Sequence, residues 1–285
     1  MKRLFSGAEA NRLAADVVGP WPNPRHALLT HGGGQTRHAW GGAAKRLAAA
    51  GVTAIALDQR GHGESEHVAS KAYGFEDFAA DIGAVSDTLA GESGAGPILI
   101  GASLGGLASL LAAGEGRVAA RALVLVDVTP RMDDEGVRRI HAFMGANLAE
   151  GFATLDEAAD AVAAYLPHRP RPASLDGLRK NLRLGADGRW RWHWDPAFMT
   201  GPKAISHGRD GMAERFLAAC RGLAGLPTHL RRGASSALVA EEHARAFLAA
   251  VPHARSLDVA GARHMVAGDR NDVFAEAVLG FVETL

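Results

Sequence analysis

Short runs of apolar residues alternate along most of this chain with segments of helical periodicity, and this alternation constrains the fold more than any other feature. The clearest runs are His26–Thr30, Val52–Leu57, Pro97–Gly101 and Ala122–Val126. Each is too short for a typical helix and mostly apolar at successive positions, which is typical of a strand buried on both faces. Buried strands separated by helices form a mostly parallel sheet with helices on its faces. The sequence therefore predicts an α/β fold.

Five segments have the spacing of helices. In Phe75–Leu89, for example, Phe75, Phe78 and Ile82 share one face. The predicted helices are Ala39–Ala50, Phe75–Leu89, Leu104–Ala113, Glu241–Ala250 and Asp272–Thr284. Leu226–Arg231 and Ala254–Val259 are weaker strand candidates, so we expect the C-terminal part of the chain to return to the sheet.

The composition narrows the classes of protein that such a fold can serve. The 285 residues suit one large α/β domain or two ordinary ones. Thirty-one basic residues balance 31 acidic ones, which leaves no net field to attract nucleic acid or an anionic membrane surface. Cys220 is the single cysteine, so an intramolecular disulfide and a cysteine-based zinc site are excluded. The N-terminus lacks the apolar core of a signal peptide, and no apolar stretch reaches about 18 residues.

These observations predict a cytoplasmic protein that acts on a small molecule, without a metal or another cofactor. Nucleic acid and membranes are not expected partners. The sequence leaves open whether the protein is a monomer or a homodimer.

Residues 131–208 interrupt the alternation of strands and helices. They are helical in part, as in Asp156–Tyr165, and they hold three of the five tryptophans. We predict that residues 131–208 form a helical cap, inserted into an α/β core made of residues 1–130 and 209–285.

The run Trp190-Arg-Trp-His-Trp194 is the most aromatic part of this insert. In an extended segment Trp190, Trp192 and Trp194 would face the same side, because side chains alternate along a strand. Two interpretations remain open. The three indoles form either the core of the insert or an aromatic wall that contacts the substrate.

The candidate nucleophile lies in the motif Gly101-Ala102-Ser103-Leu104-Gly105. A predicted strand precedes it and a helix of small residues follows, so Ser103 occupies a strand-to-helix turn. Small flanking residues allow the strained turn that lifts a serine hydroxyl above the edge of a sheet. The positive end of the following helix would face the negative charge that develops during attack on a carbonyl group.

A serine nucleophile needs a general base and donors for the developing oxyanion. His264 is the candidate base, because it lies between the last predicted strand and the last predicted helix. The glycines that follow the first buried strand allow backbone N–H groups to approach a substrate oxygen. We predict that the N–H groups of Gly33 and Leu104 form the oxyanion hole and that Gly32 contacts the substrate.

Four motifs, in order and spacing, resemble the α/β-hydrolase superfamily. They are His-Gly at 31–32, Asp-Gln-Arg-Gly-His-Gly-Glu-Ser at 58–65, Gly-Ala-Ser-Leu-Gly-Gly at 101–106 and Gly-Ala-Arg-His at 261–264. The resemblance covers almost the whole chain, with residues 131–208 as the cap. It implies the α/β-hydrolase fold and a hydrolytic site, but no particular substrate. Ser103 argues against dehalogenases and epoxide hydrolases, which generally use an aspartate nucleophile.

The acid that orients the base departs from the commonest pattern of the superfamily, in which it follows the seventh strand. Here residues 232–239 read Arg-Gly-Ala-Ser-Ser-Ala-Leu-Val, with no carboxylate near Ser236. Asp127 ends the sixth strand at the same sheet edge as Ser103, where catalytic groups collect in open α/β sheets. We predict that Asp127 orients His264. The remaining candidates are Glu241, Glu242 and Asp258.

Two stretches are similar to the branch of the superfamily that includes acetamidomethylenesuccinate hydrolase. They are Asp-x-Thr-Pro at 127–130 and Arg-Gly-x-Ser-Ser-x-Leu-Val at 232–239. We therefore expect a serine hydrolase that cleaves an ester, lactone or related carbonyl compound through an acyl-enzyme. Two alternatives remain: a carbon–carbon or enamide bond hydrolase with the same triad, and a non-catalytic binding or receptor protein with the same fold.

Overall fold

An eight-stranded sheet forms the centre of the protein in the computed structural model, which describes residues 1–166, 171, 174–206, 211–264 and 271–285. The strands are β1 (Lys2–Ser6), β2 (Arg12–Val18), β3 (His26–Thr30), β4 (Thr53–Leu57), β5 (Ile98–Ala102), β6 (Ala122–Val126), β7 (Leu182–Leu184), β8 (Trp190–Trp192), β9 (Thr228–Gly233) and β10 (Arg255–Val259). The spatial order in the sheet is β1-β2-β4-β3-β5-β6-β9-β10, and β7 pairs with β8 apart from it. From β4 to β10 every neighbouring pair is parallel.

Helices cover both faces of the sheet. They are α1 (Gly41–Ala49), α2 (Phe75–Ser93), α3 (Leu104–Gly114), α4 (Asp134–Gly145), α5 (Leu155–Tyr165), α6 (Asp176–Arg179), α7 (Ala197–Thr200), α8 (Met212–Arg221), α9 (Glu241–Ala250) and α10 (Ala275–Val282). Short 3₁₀ helices precede α1 and α10, at Arg37–Trp40 and Asn271–Phe274. No helix in the described ranges is long and apolar enough to cross a membrane.

The buried strands supply both hydrophobic cores. Along β5, Leu99 packs into the core that includes α2, α3 and α8, whereas Ile98 and Ile100 pack into the core of α1 and α10. Successive side chains of a strand point to opposite faces, so apolar residues at every position bury both faces of the sheet. The predicted α/β-hydrolase fold, with its mostly parallel sheet, is confirmed.

The N-terminal hairpin is the main element that sequence patterns did not predict. Strands β1 and β2 pair antiparallel, and β2 continues antiparallel along β4. Phe5 is the one fully buried residue of β1, and Arg12 and Asp16 interrupt the apolar residues of β2. A strand at the edge of a sheet needs only one buried face, so its sequence lacks the continuous apolar run of a central strand.

Residues 131–206 connect β6 to the segment before α8 and contain α4 to α7 and the hairpin β7–β8. The side chains of Asp133 and Thr154 cap α4 and α5 by accepting the N–H groups of Gly136 and Glu157. We call residues 131–206 the insert. The predicted boundary at residues 208 and 209 lies outside the described residues.

The chain order reverses at β3, because β4 lies on one side of this strand and β5 on the other. In open α/β sheets the carboxyl ends of the strands at such a reversal border a crevice that holds ligands. The loops that follow β3 and β5 contain the predicted oxyanion glycines and Ser103.

Candidate active site

Ser103 occupies a sharp turn between β5 and α3. Its backbone has φ 47° and ψ −116°, a strained conformation for a non-glycine residue, and α3 begins at the next residue. The neighbouring glycines allow this turn because backbone atoms lie where their side chains would otherwise be. A Cβ atom on Gly105 would lie 2.6 Å from the carbonyl oxygen of Thr30, and one on Gly101 would lie 2.5 Å from that of Gly105. The geometry is that of a nucleophile elbow.

A cavity of about 70 Å³ is lined by Ser103, Leu104, Gly33 and His264. The insert contributes most of its wall: Met132, Val137, Ile140, His141, Met144, Phe198, Met199 and Ile205. Nearly all of these side chains are apolar, so the cavity favours an apolar group of a ligand.

His264 and Asp127 form a buried hydrogen-bonded pair. The imidazole Nδ1–H donates to Asp127 Oδ2 at 2.9 Å, and the two side chains are 9% and 3% exposed. Because Nδ1 carries the proton, Nε2 keeps a lone pair and can accept a proton. The alternative acids lie elsewhere: Asp258 pairs with Arg232, and Glu241 lies 3.7 Å from Arg245.

Asp127 is held by donors from the end of β9 and from the loop after it. The N–H of Gly233 donates to Oδ1 at 2.8 Å, and the hydroxyl of Ser236 donates to Oδ2 at 2.8 Å. Ser236 Oγ in turn accepts the N–H groups of Leu238 and Val239, both at 3.1 Å. Asp127 itself has φ 51°, so these contacts stabilise a strained backbone.

Sequence reasoning did not assign a role to Ser236. The signal was present, because Ser236 stands where most relatives have their acid. The structure places its hydroxyl on the carboxylate of Asp127 instead.

The predicted oxyanion amides are available for a ligand. Neither the N–H of Gly33 nor that of Leu104 donates a hydrogen bond to another residue in the described part of the chain. Gly32 differs, since its N–H donates to the side-chain oxygen of Gln35 at 3.0 Å. Gly32 does not line the cavity of Ser103, and its contact with substrate stays a prediction. Its N–H is occupied, and it shapes the loop that presents Gly33.

Three buried histidines hold this loop: His31, His62 and His193. In each ring one nitrogen accepts a backbone N–H and the other donates to a backbone carbonyl. The partners are Gln59 N–H and Gly32 C=O for His31 (3.1 and 2.8 Å), Gly34 N–H and Arg60 C=O for His62 (3.1 and 2.9 Å), and Gly63 N–H and Gly34 C=O for His193 (2.7 and 3.2 Å). These contacts require the neutral form of each imidazole.

Burial favours the same neutral form. It lowers the pKa of His31 to about 4 and that of His62 to about 3, and it lowers the pKa of His193 well below the ordinary value. The three rings form a chain, with centroid distances of 5.2 Å from His31 to His62 and 5.8 Å from His62 to His193. His193 belongs to the insert, so this chain joins the insert to the sheet.

Trp190, Trp192 and Trp194 do not line the cavity that contains Ser103. Trp192 and Trp194 stack with ring centroids 4.9 Å apart, and Trp192 also packs edge-on against Phe143. The flat faces of Trp192 and Trp194 are buried against one another, which favours the core interpretation for these two rings, and contact of the three indoles with substrate stays a prediction. Trp194 still supports the site, because its ring lies 3.1 Å from the position of a Cβ atom on Gly34.

The fold agrees with the result of comparison with known protein families. The sequence profile of the alpha/beta hydrolase family matches residues 27–277, which is most of the chain. The chain belongs to this family and is a hydrolase.

Three comparisons describe its relatives. The chain is 30% identical over 234 residues to 2-(acetamidomethylene)succinate hydrolase of Mesorhizobium japonicum, which covers 81% of this chain and 78% of that protein. It is 28% identical over 268 residues to an esterase of Mycobacterium tuberculosis, and this alignment covers 90% of this chain and 82% of that protein. A solved structure of E-2-(acetamidomethylene)succinate hydrolase superposes with a TM-score of 0.81 at 25% identity and covers 99% of both chains.

Proposed function

We propose that this protein is a cofactor-independent serine hydrolase that cleaves an ester, lactone or related carbonyl compound through an acyl-enzyme. One observation carries the proposal. His264, which is hydrogen-bonded to Asp127, lines the same cavity as Ser103, and Ser103 is held in a strained turn at the start of a helix. A nucleophile, a base and an orienting acid are the groups that acyl transfer needs.

Each residue has a distinct role in this mechanism. Ser103 Oγ attacks the carbonyl carbon while His264 Nε2 takes the hydroxyl proton. Asp127 orients the ring and stabilises the imidazolium. The N–H groups of Gly33 and Leu104 stabilise the oxyanion, and Nε2 returns the proton to the leaving atom as its bond to carbon breaks. Water then attacks the acyl-enzyme with His264 as base, which releases the acid and regenerates Ser103.

The insert acts in this proposal as the cap that selects the substrate, because it supplies most of the cavity wall. Its apolar side chains would receive the acyl group, next to the oxyanion amides of Gly33 and Leu104. The interior of the wall is apolar, so we expect short, uncharged acyl groups.

A second candidate is hydrolysis of an enamide or a carbon–carbon bond by the same triad. A relative that is 30% identical is named 2-(acetamidomethylene)succinate hydrolase, and this name favours the enamide. The third interpretation is a binding protein that keeps the fold. The strain at Ser103 and Asp127 counts against it, since such backbone strain is concentrated at functional sites.

The test is the Ser103→Ala variant against the wild type. A serine-reactive fluorophosphonate should label the wild type and not the variant, and kcat on the best substrate of an ester, lactone and enamide screen should fall by about 10⁴-fold or more. Thermal unfolding is the control for folding. A wild type that resists the probe would favour the binding protein. A variant that keeps more than a tenth of the activity would indicate a different nucleophile.

A further inference from the structure

A second cavity, of about 130 Å³, also has His264 in its wall. It shares His264, Ile140 and Leu238 with the cavity that contains Ser103. The two cavities therefore adjoin at the imidazole and at the apolar side chains beside it.

The second cavity differs from the first in its charge. Two arginines line it: Arg139 of α4, and Arg263, which directly precedes His264. No aspartate or glutamate lines it, and neither guanidinium forms an ion pair with any carboxylate in the described ranges. Two positive charges, both on exposed side chains, thus border this cavity without a counter-ion from these parts of the chain.

Two other arginines of the insert differ in this respect. Arg138 pairs with Glu135 at 2.7 Å, and Arg191 pairs with Asp187 at 2.7 Å. Their guanidinium groups already have carboxylate partners. Arg139 and Arg263 remain available for an anion, and guanidinium groups bind carboxylates and phosphates by charge-assisted hydrogen bonds.

The proposed mechanism determines which part of the substrate reaches this space. His264 Nε2 must lie beside the leaving atom, because it returns the proton to that atom. The acyl group faces the amides of Gly33 and Leu104 in the apolar cavity. The remainder of the leaving group therefore extends beyond His264.

We infer that the second cavity is a subsite for an anionic group, a carboxylate or a phosphate, carried by the leaving group of the substrate. This inference rests on the proposed function. Arg139 and Arg263 bind the anion, and the apolar cavity binds a short uncharged acyl group. The preferred substrates are thus esters or amides that release an acid-bearing alcohol, phenol or amine.

The test uses two esters that differ only in the charge of the leaving group, 4-(butanoyloxy)benzoate and 4-(butanoyloxy)benzamide. We expect kcat/KM of the wild type to be at least about tenfold higher for the benzoate, mainly through KM, as charge-assisted contacts imply. The ratio of the two kcat/KM values should fall toward one in Arg139→Gln and in Arg263→Gln. The matched control is Arg138→Gln, which removes the neighbouring, ion-paired charge and should keep the ratio.

Two further substrates test which anion the subsite binds and on which side of the ester the anion must lie. The ester 4-(butanoyloxy)phenyl phosphate compares a phosphate with the carboxylate at the same subsite. The ester 4-carbamoylphenyl hydrogen succinate moves the carboxylate to the acyl side, and we expect no advantage over its uncharged counterpart. A benzoate that is cleaved no faster than the benzamide, or an advantage that survives in both arginine variants, would overturn the inference.

Failure of the inference is distinguishable from failure of the proposed function. If the inference alone is wrong, Ser103-dependent hydrolysis of the uncharged benzamide ester persists. If the protein does not hydrolyse these esters, calorimetry on Ser103→Ala still tests the subsite with 4-hydroxybenzoate and 4-hydroxybenzamide. Tighter binding of the benzoate, lost in Ser103→Ala/Arg139→Gln, would support the subsite, and equal binding of the two compounds would refute it.

Discussion

Two groups of loops flank Ser103, and they are held in place by different chemistry. The loops after β3 and β4, which present Gly33, are fixed by the neutral imidazoles of His31, His62 and His193, together with the buried ion pair of Arg37 and Asp58. The loops after β6, β9 and β10 are organised around one carboxylate, that of Asp127, which accepts hydrogen bonds from Gly233, Ser236 and His264.

The difference follows from what each side has to do in the proposed mechanism. An oxyanion hole requires fixed, dry N–H groups, and a buried permanent charge beside it would add a cost of desolvation. A proton relay requires an anion that stabilises the imidazolium when it forms. Neutral imidazoles are therefore suited to contact the backbone of Gly32 and Gly34 beside the oxyanion amide, and a fixed negative charge is suited to the relay side.

The largest effect is expected on the relay side, from Asp127→Asn. The amide cannot stabilise the imidazolium and favours the wrong tautomer of His264, so kcat should fall by about 10⁴-fold. Glu241→Gln and Glu242→Gln, both exposed on α9, are the controls and should leave kcat near the wild-type value. Near-normal activity of Asp127→Asn would assign the acid to another residue and remove the contrast between the two sides.

The amide side should instead be sensitive to acid. The pKa values of His31 and His62, about 4 and about 3, lie below the ordinary histidine value. Between these values and the ordinary one, the unfolded chain therefore binds more protons than the folded chain. Stability from the neutral rings is thus complete above about pH 6.5 and is lost as the pH falls toward 4, with a slope of up to about 1.4 kcal/mol per pH unit for each histidine.

Urea unfolding at pH 7.5, 6 and 5 measures this slope. His193→Gln should have a lower free energy of unfolding than the wild type at pH 7.5. The dependence of this free energy on pH should also be weaker, by about the contribution of one histidine. His253→Gln, at an exposed position, should follow the wild type. A slope that does not change in His193→Gln would show that protonation of this ring does not control stability.

The smallest effect is expected from Ser236→Ala, which removes one of the hydrogen bonds to Asp127 and keeps the charge. Loss of one such bond to a charged group corresponds to about a tenfold decrease in kcat. Ser236→Thr keeps the hydroxyl and should restore most of the rate. The pH profile of kcat/KM should shift in Ser236→Ala, because the carboxylate would orient His264 less firmly. A pH profile and a kcat equal to those of the wild type would show that Ser236 only stabilises the loop.

Much of this site could be predicted from sequence because its key residues follow buried strands. Continuous apolar runs predicted β5 and β6, and the residues that end these strands, Ser103 and Asp127, must meet at one edge of a parallel sheet. The hydrogen bond between His264 and Asp127 agrees with that prediction. Catalysis by these residues stays a prediction until the variants are measured.

Other features depend on contacts between residues that are distant in sequence. The hydroxyl of Ser236 lies on Asp127, 109 positions away, and His193 of the insert binds Gly63 and Gly34 of the core. Nothing in the local pattern around either residue indicates its partner. For the same reason, the alternation of tryptophans in Trp190–Trp194 could not distinguish a stacked core from a wall of the pocket.

The sequence by itself determined the class of fold, the nucleophile turn and the absence of an acid after β9, because hydrophobic periodicity and glycine spacing are local properties. Tertiary structure alone decided which distant groups surround these residues: three neutral histidines on one side, the hydroxyl of Ser236 on Asp127, and Arg139 in a cavity that His264 also lines. The physical reason is that hydrogen bonds and charge interactions act over a few ångströms in space, whatever the separation along the chain.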